Sequence, residues 1–267
     1  MDPKMGVKSC GDINDLPQDC LANVLSFTTP EDACRLSAVA STFRSAAESD
    51  SLWELFLPSD YRDIISRSID GSESLLHEFQ SKKDLYLRLS DHPILIDSGH
   101  KSFNLEKGSG KKCYMLAPRD LFINWVSQRW KWITHPDSRF SEVAELTVVS
   151  WFGIRGCIKT EMLSFDTDYA AYLVFTTNST AFGFDDVPAE AYVGIKGFEM
   201  KKRSVYLKGD TEFLTRREDG WMEVELGECF VKGGEDVIVM TLLEVKRLNQ
   251  KRGLVIQGIE IRPKKCT

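Results

Sequence analysis

The chain has 267 residues, 42% of them hydrophobic and 28% charged, with a formal net charge of -6. This is enough apolar material for a real core, and the length fits one large or two ordinary domains. No stretch approaches the ~18 consecutive apolar residues of a membrane span, and no part has the basic surplus that nucleic-acid binding requires, so neither is expected as a partner.

The charge is uneven. Residues 1–60 hold ten acids and four bases, and the rest is neutral, so an acidic module precedes a balanced one. Seven cysteines are widely spaced with no CxxC pair, which predicts reduced thiols and a cytoplasmic or nuclear location. The first residues are polar with no apolar run, so no signal peptide is expected and residues 1–11 are read as disordered.

Leu16-Pro17 opens a helical pattern, with Pro17 suited to a first turn. Leu21, Val24 and Leu25 share one face. Thr29-Pro30-Glu31-Asp32 is a second start signal: a capping hydroxyl, a proline for the first turn and acids for the positive end of the helix dipole. Leu36, Val39 and Ala40 continue that helix. Phe43, Ala46 and Ala47 mark a third, and Ser49-Asp50 begins a segment carrying Trp53, Phe56 and Leu57. Such a small unit buries little surface alone. It either hands an apolar face to a partner or packs on the rest of the chain.

The ordered set Leu16-Pro17, Cys20-Leu21, Val24-Leu25-Ser26, Asp32-Ala33-Cys34-Arg35-Leu36, Ser37-Ala38-Val39, Phe43-Arg44 and Leu52-Trp53 resembles an F-box, with Phe43 where many F-boxes carry Trp. The resemblance spans residues 12–57. It implies docking to the Skp-type adaptor, and through it the cullin, of an SCF ubiquitin ligase. Leu16, Pro17, Leu21, Val24, Leu25, Leu36, Val39 and Trp53 are then the implied adaptor-binding or core positions. Residues 58–92 read as a helical connector, because apolar residues recur at helical spacing and Gly and Pro are scarce.

From residue 93 the grammar changes to strands. Runs are expected at 93–97, 145–158, 169–175, 191–195, 205–207, 221–226, 237–243 and 254–261, separated by turns such as Asp219-Gly220 and Lys232-Gly233-Gly234. The pattern predicts an antiparallel β-sandwich of jelly-roll type over residues 93–267, hence an α+β multidomain chain. Gly108-Ser109-Gly110-Lys111-Lys112 superficially resembles a phosphate loop. A Walker motif would need Gly at Leu105 and Ser or Thr at Lys112, so a hairpin turn is expected instead.

Catalytic signatures are missing. His77, His92, His100 and His135 lack metal-ligand spacing, no GxSxG occurs, and no cysteine has a nucleophile context. No metal, cofactor or catalytic residue is expected. Glu223 and Glu225 share a strand face and are read as solvated. Asp185-Asp186 are loop acids. Asn178-Ser179-Thr180 is an unmodified loop, and Lys201-Lys202-Arg203 a basic turn or a minimal import signal.

Three of the six tryptophans, Trp125, Trp130 and Trp132, fall within eight residues, with Gln128, Arg129 and Lys131 between them. They are either core rings or a platform for a flat ligand such as a sugar. Cys113-Tyr114-Met115-Leu116, Ile123-x-Trp125, Trp130-x-Trp132, Glu142-Val143-Ala144-Glu145-Leu146, Trp151-Phe152-x-Ile154-x-Gly156, Arg217-Glu218-Asp219-Gly220-Trp221 and the run from Gly253 to Pro263 are similar to the phloem protein 2 (Nictaba-like lectin) family of plants. The resemblance covers residues 113–263. It implies binding of N-acetylglucosamine oligomers or N-glycans, with Trp125, Trp130 and Glu244 as sugar contacts and Trp132 as a core ring. The Val126–Arg129 segment is shorter than the loop usual there. A substrate receptor for a glycoprotein or protein target, or a lectin acting outside the ligase, follows as the expected function.

Overall fold

The computed structural model of the chain describes residues 16–69, 71, 76, 79–184, 188–208, 214–246 and 248–264. The expectations for residues 1–11, His77 and Asp185-Asp186 lie outside them.

Four short helices come first: α1 (Gln18–Leu25), α2 (Pro30–Leu36), α3 (Ser41–Ala47) and α4 (Asp50–Phe56). The starts of α1, α2 and α4 follow their sequence signals, but α2 ends at Leu36 instead of continuing through Val39 and Ala40, and Ala40 precedes α3. Thr29 accepts a hydrogen bond from Asp32 N at 3.1 Å, with Pro30 in the first turn, as the capping chemistry requires. Leu21, Ala22, Leu25, Ala33, Ala46, Ala47 and Leu52 close a small core of their own. The alanines let the helices approach closely, so little volume is needed to fill it.

Trp53 leaves that core and joins the larger one. Its ring meets Tyr86 at 5.0 Å and Phe56 at 5.5 Å, and its indole N–H donates to the Ala47 carbonyl at 2.7 Å. Tyr86 lies on α6 (Lys82–Asp91), which with α5 (Tyr61–Ser66) supplies the described helices of the connector. The Tyr86 hydroxyl donates to the Lys107 carbonyl at 2.9 Å, in the turn between β2 (Lys101–Leu105) and β3 (Lys112–Leu116). Lys112 pairs with Asp60 at 3.0 Å, and Gly110, at φ +72°, lies where a Cβ would press on the Phe56 carbonyl at 3.0 Å. Helical unit, connector and sandwich are thus packed as one body, and residues 108–112 form the expected hairpin turn.

The strands form two antiparallel sheets. Among the described residues one has nine strands and runs β1 (Ile94–Ile96), β2, β3, β14 (Arg252–Pro263), β8 (Thr167–Phe182), β12 (Met222–Val231) and β11 (Leu214–Arg216); β6 (Val143–Leu146) joins β14 and pairs with β5 (Trp130–Ile133). The second runs β10 (Lys202–Val205), β9 (Ala189–Ile195), β13 (Val237–Glu244), β7 (Phe152–Lys159) and β4 (Phe122–Ile123). Between them lie Ile154, Leu173, Phe175, Val224, Leu226, Ile238, Met240, Leu242, Ile256 and Ile259. The outer face of the large sheet is also covered, by Phe140, Val143 and Trp221 over Met115, Val174 and Val255. Strands covered on both faces read as continuous apolar runs, which is why β14 and β3 do not alternate. Gly258 sits at a bulge in β14, where a Cβ would stand 2.2 Å from the Leu116 carbonyl, so only glycine allows β3 this close.

The expected strand over 145–158 is two strands in different sheets. The chain leaves β6 at Leu146, crosses through residues 147–151 and enters β7 at Phe152, while Val149 pairs with Lys251 outside the named strands. Apolar content alone could not show that crossover. Asn178-Ser179-Thr180 lies within β8 rather than a loop, and Lys202 and Arg203 lie in β10, paired with Glu190 and Glu225.

Candidate functional site

The helical unit sorts its apolar side chains into two sets. Leu21 and Leu25 are buried in the small core and Leu36 packs against it, while Trp53 is buried in the larger core. Leu16, Pro17, Val24 and Val39 remain exposed. The eight adaptor candidates are therefore not one surface, because α1 must turn its i, i+4 pair inward for so small a unit to close. Phe27 is 85% exposed and Leu55 is also exposed. Sequence reasoning passed over both; Phe27 falls in the turn after α1, donating its N–H to the Val24 carbonyl at 3.3 Å. A large ring held in water beside Val24 is the signal a partner-facing residue leaves.

The tryptophan stretch is not one strand. After β4 the chain turns at Trp125, which adopts φ +62° and ψ +21° and starts the single helical turn α7 (Val126–Arg129). A bulky residue in the left-handed region carries strain of about 1–3 kcal/mol. The structure pins it there: Asn124 N donates to the Gly153 carbonyl at 2.9 Å, and the Trp125 carbonyl accepts from Gln128 N at 3.0 Å and Arg129 N at 2.9 Å. Trp130 then opens β5, 6% exposed, with its ring edge-on to Phe152 and its indole N–H donating to the Asn124 carbonyl at 3.0 Å. Trp132 is half-buried beneath the Arg119 guanidinium, 3.7 Å from the ring centre. Both rings face the same core from β5, and Trp130 is the more enclosed of the two.

Trp125, 47% exposed, meets Trp151 edge-on at 5.3 Å. With Arg129, Val149, Ser150 and Gln250 they line a shallow cleft. Beneath it lies Lys251, 0% exposed. Its ammonium donates to the carbonyls of Ser150 at 3.1 Å and Asn249 at 3.0 Å and to Asn249 Oδ1 at 3.0 Å, and it pairs with Glu244 at 2.6 Å. Glu244 is 2% exposed. Of the three sugar-contact candidates the structure presents Trp125 at the surface. Trp130 is buried with its indole N–H on the Asn124 carbonyl, and Glu244 is buried against Lys251 beneath the cleft. Sequence reasoning missed Trp151 and Lys251; Trp151 carried a signal, since it opens one of the matched motifs.

Glu223 and Glu225 are not solvated. Glu223 accepts from Arg262 at 2.6 and 2.8 Å and from Arg217 at 2.7 Å. Arg217 also pairs with Glu260 and Arg203 with Glu225, and the Arg262 guanidinium covers the Tyr172 ring at 3.8 Å. Burial alone would raise the Glu223 carboxyl, but the hydrogen bonds and charges of Arg262 and Arg217 outweigh it and hold it below the usual glutamate range. Both Glu223 oxygens are committed to arginines, so this is structural cross-bracing of β12 to β14 rather than an acid–base pair. Of the histidines, His92 caps the C-terminus of α6, His100 pairs with Asp120 at 2.7 Å, and His135 lies on Trp221. Among the described residues no cluster of three or more His, Cys, Asp or Glu could hold a metal ion.

Two family models match the chain: F-box-like over residues 13–57 and phloem protein 2 over residues 111–263. The F-box protein PP2-B10 of Arabidopsis thaliana is 45% identical over 278 residues, covering 99% of each chain. The F-box protein PP2-B15 of the same plant is 43% identical over 283 residues, covering 93% of this chain and 96% of its own. Among solved structures, a family 35 carbohydrate binding module from Clostridium thermocellum aligns with 56% of this chain and 96% of its own, at 9% identity and a TM-score of 0.36, a likeness too slight to bear on function.

Proposed function

The chain belongs to the phloem protein 2 family of F-box proteins, and on that footing we propose that it is the substrate-recognition subunit of an SCF-type ubiquitin ligase. The observation that carries the reading is the division within the helical unit. Its interior is closed by Leu21, Leu25 and Leu52, and Leu16, Val24, Phe27 and Val39 still stand in water. Exposed apolar side chains on an already closed core fit a docking face for the Skp-type adaptor. The cullin follows through that adaptor. At the other end, the Trp125–Trp151 cleft captures a glycoprotein or protein target. The packing through Trp53 and Tyr86 fixes the distance between the two ends. The chain itself does no chemistry; holding the target beside the ubiquitin donor raises its effective concentration.

The test is co-purification of the recombinant chain with a Skp-type adaptor. Val24→Asp with Phe27→Asp changes surface positions only, so the variant folds and loses the adaptor. A folded double variant that still retains it, or a wild type that never binds it, overturns the reading.

The cleft favours a second role, as a cytoplasmic or nuclear lectin acting outside the ligase. There the cleft would bind N-acetylglucosamine oligomers or N-glycans, with Trp125 stacking on the sugar ring. Sugar binding by a chain that retains no adaptor distinguishes this role from the first.

A further inference from the structure

We propose that the Trp125–Trp151 cleft selects a sugar ring bearing a single negative charge, a hexuronic acid, and that Arg129 is the residue that sets this preference. The proposal rests on the reading of this cleft as a carbohydrate site.

Arg129 ends α7 on the cleft wall, one helical turn after Trp125. Its backbone is fixed, since its carbonyl accepts both the N–H of Thr147 at 2.9 Å and that residue's hydroxyl at 2.7 Å. The guanidinium is exposed and pairs with no carboxylate among the described residues. Other arginines of the sandwich are committed to acids, Arg119 to Glu142, Arg203 to Glu225, Arg217 to Asp219, Glu223 and Glu260, and Arg262 to Glu223 and Glu260, whereas the arginine that lines this cleft is not. Among the described residues no acid lines the cleft, and Glu244 beneath its floor is matched by Lys251 at 2.6 Å, so their charges offset.

The occupant follows from those groups. Two indoles at 5.3 Å and 72° give a ring face and a ring edge, which suits the C–H face of a pyranose. A guanidinium is planar and meets a carboxylate through two parallel N–H donors. One cation matches one negative charge; a phosphate monoester, at about -1.5 to -2, would keep a surplus, since no second cation is among the described residues that line the cleft. A uronate places its carboxylate on the carbon next to the ring oxygen, at the rim of the face that stacks. A phosphopeptide offers neither the ring nor the single charge.

The test is titration of the full chain, by calorimetry or ligand-observed NMR, with four probes: a short galacturonic acid oligomer, its methyl ester, an N-acetylglucosamine oligomer and a phosphorylated peptide. A charge-assisted pair contributes about 1.5–3 kcal/mol, so the acid binds about tenfold or more tighter than its ester. Raising the salt from about 50 to about 300 mM weakens the acid and leaves the ester alone. Arg129→Gln, at an exposed position, erases the difference between acid and ester. If the ester or the N-acetylglucosamine oligomer binds as tightly as the acid, the charge preference is wrong and the lectin reading stands. If no sugar binds the folded chain, or only a phosphorylated peptide does, the lectin reading and this proposal fall together.

Discussion

The carboxylate of Glu244 meets the ammonium of Lys251 at 2.6 Å, with both side chains buried beneath the aromatic cleft. Replacing Glu244 by Gln keeps the shape and leaves the ammonium without its counter-charge. Removing one partner of a buried pair costs about 3–5 kcal/mol. The expected outcome is a large fall in the urea midpoint, with sugar affinity declining only as the floor of the cleft loosens. Glu244 as a direct sugar contact predicts the opposite split, an unchanged midpoint with affinity lost.

Trp125 and Trp130 separate in the same way. Trp125→Gly relieves the left-handed strain of a bulky residue and gives up its contact with Trp151. Its melting temperature is expected to stay level or rise while ligand binding disappears. Trp130→Phe keeps a ring against Phe152 but strips the Asn124 carbonyl of its donor, at a cost of about 1–3 kcal/mol. That variant is expected to melt earlier and to bind more weakly than wild type, not to lose binding outright. Identical profiles for the two would show that both rings touch ligand.

Glu223 sets an acid limit on stability. Its folded carboxyl lies below the ordinary glutamate value of about 4.3. A depressed pKa contributes stability that is present above the unfolded value and is lost as pH falls through the folded one. The urea midpoint should therefore drop on acidification below about pH 4, and Glu223→Gln should be less stable than wild type at neutral pH with a flatter acid limb. A parallel decline in the two proteins would remove Glu223 as the cause.

Local chemistry made much of this molecule legible. The Thr29 cap, the prolines at helix starts and the apolar spacing of α1 each named an element that the structure contains, and turn glycines separated most strands. What sequence could not supply was direction. Leu21 and Val24 are equally apolar and belong to the same expected face, yet one is interior and the other exposed, because the partners that bury Leu21 come from α3 and α4. Glu223 reads as a surface acid because its neutralising partners, Arg217 and Arg262, sit 6 and 39 residues away. Trp130 and Trp132 face the same core from β5, and only the surroundings separate them: Trp130 lies against Phe152, while Trp132 is covered by the Arg119 guanidinium. Trp125 was out of reach for another reason: no propensity rule places a tryptophan in the left-handed region.

Trp53 and Tyr86 make the last test, of whether the two ends of the molecule are mechanically coupled. Trp53 is fully buried between the helical unit and α6, and Tyr86 holds the β2–β3 turn through its hydroxyl. Trp53→Ala removes about 3–5 kcal/mol of packing. Its ring contacts are with Phe56 and Tyr86, at the helical edge of the larger core, so the loss is expected first on the helices. Hydrogen exchange followed by mass spectrometry should show faster exchange across residues 18–56 and unchanged protection in β8 and β14. Adaptor retention should fall although Trp53 itself never reaches the surface, while sugar binding at the distant cleft is kept. Equal loss of protection in the helices and in β8 would mean that the chain unfolds as a single unit, and the junction would then be part of one core rather than a coupling between two.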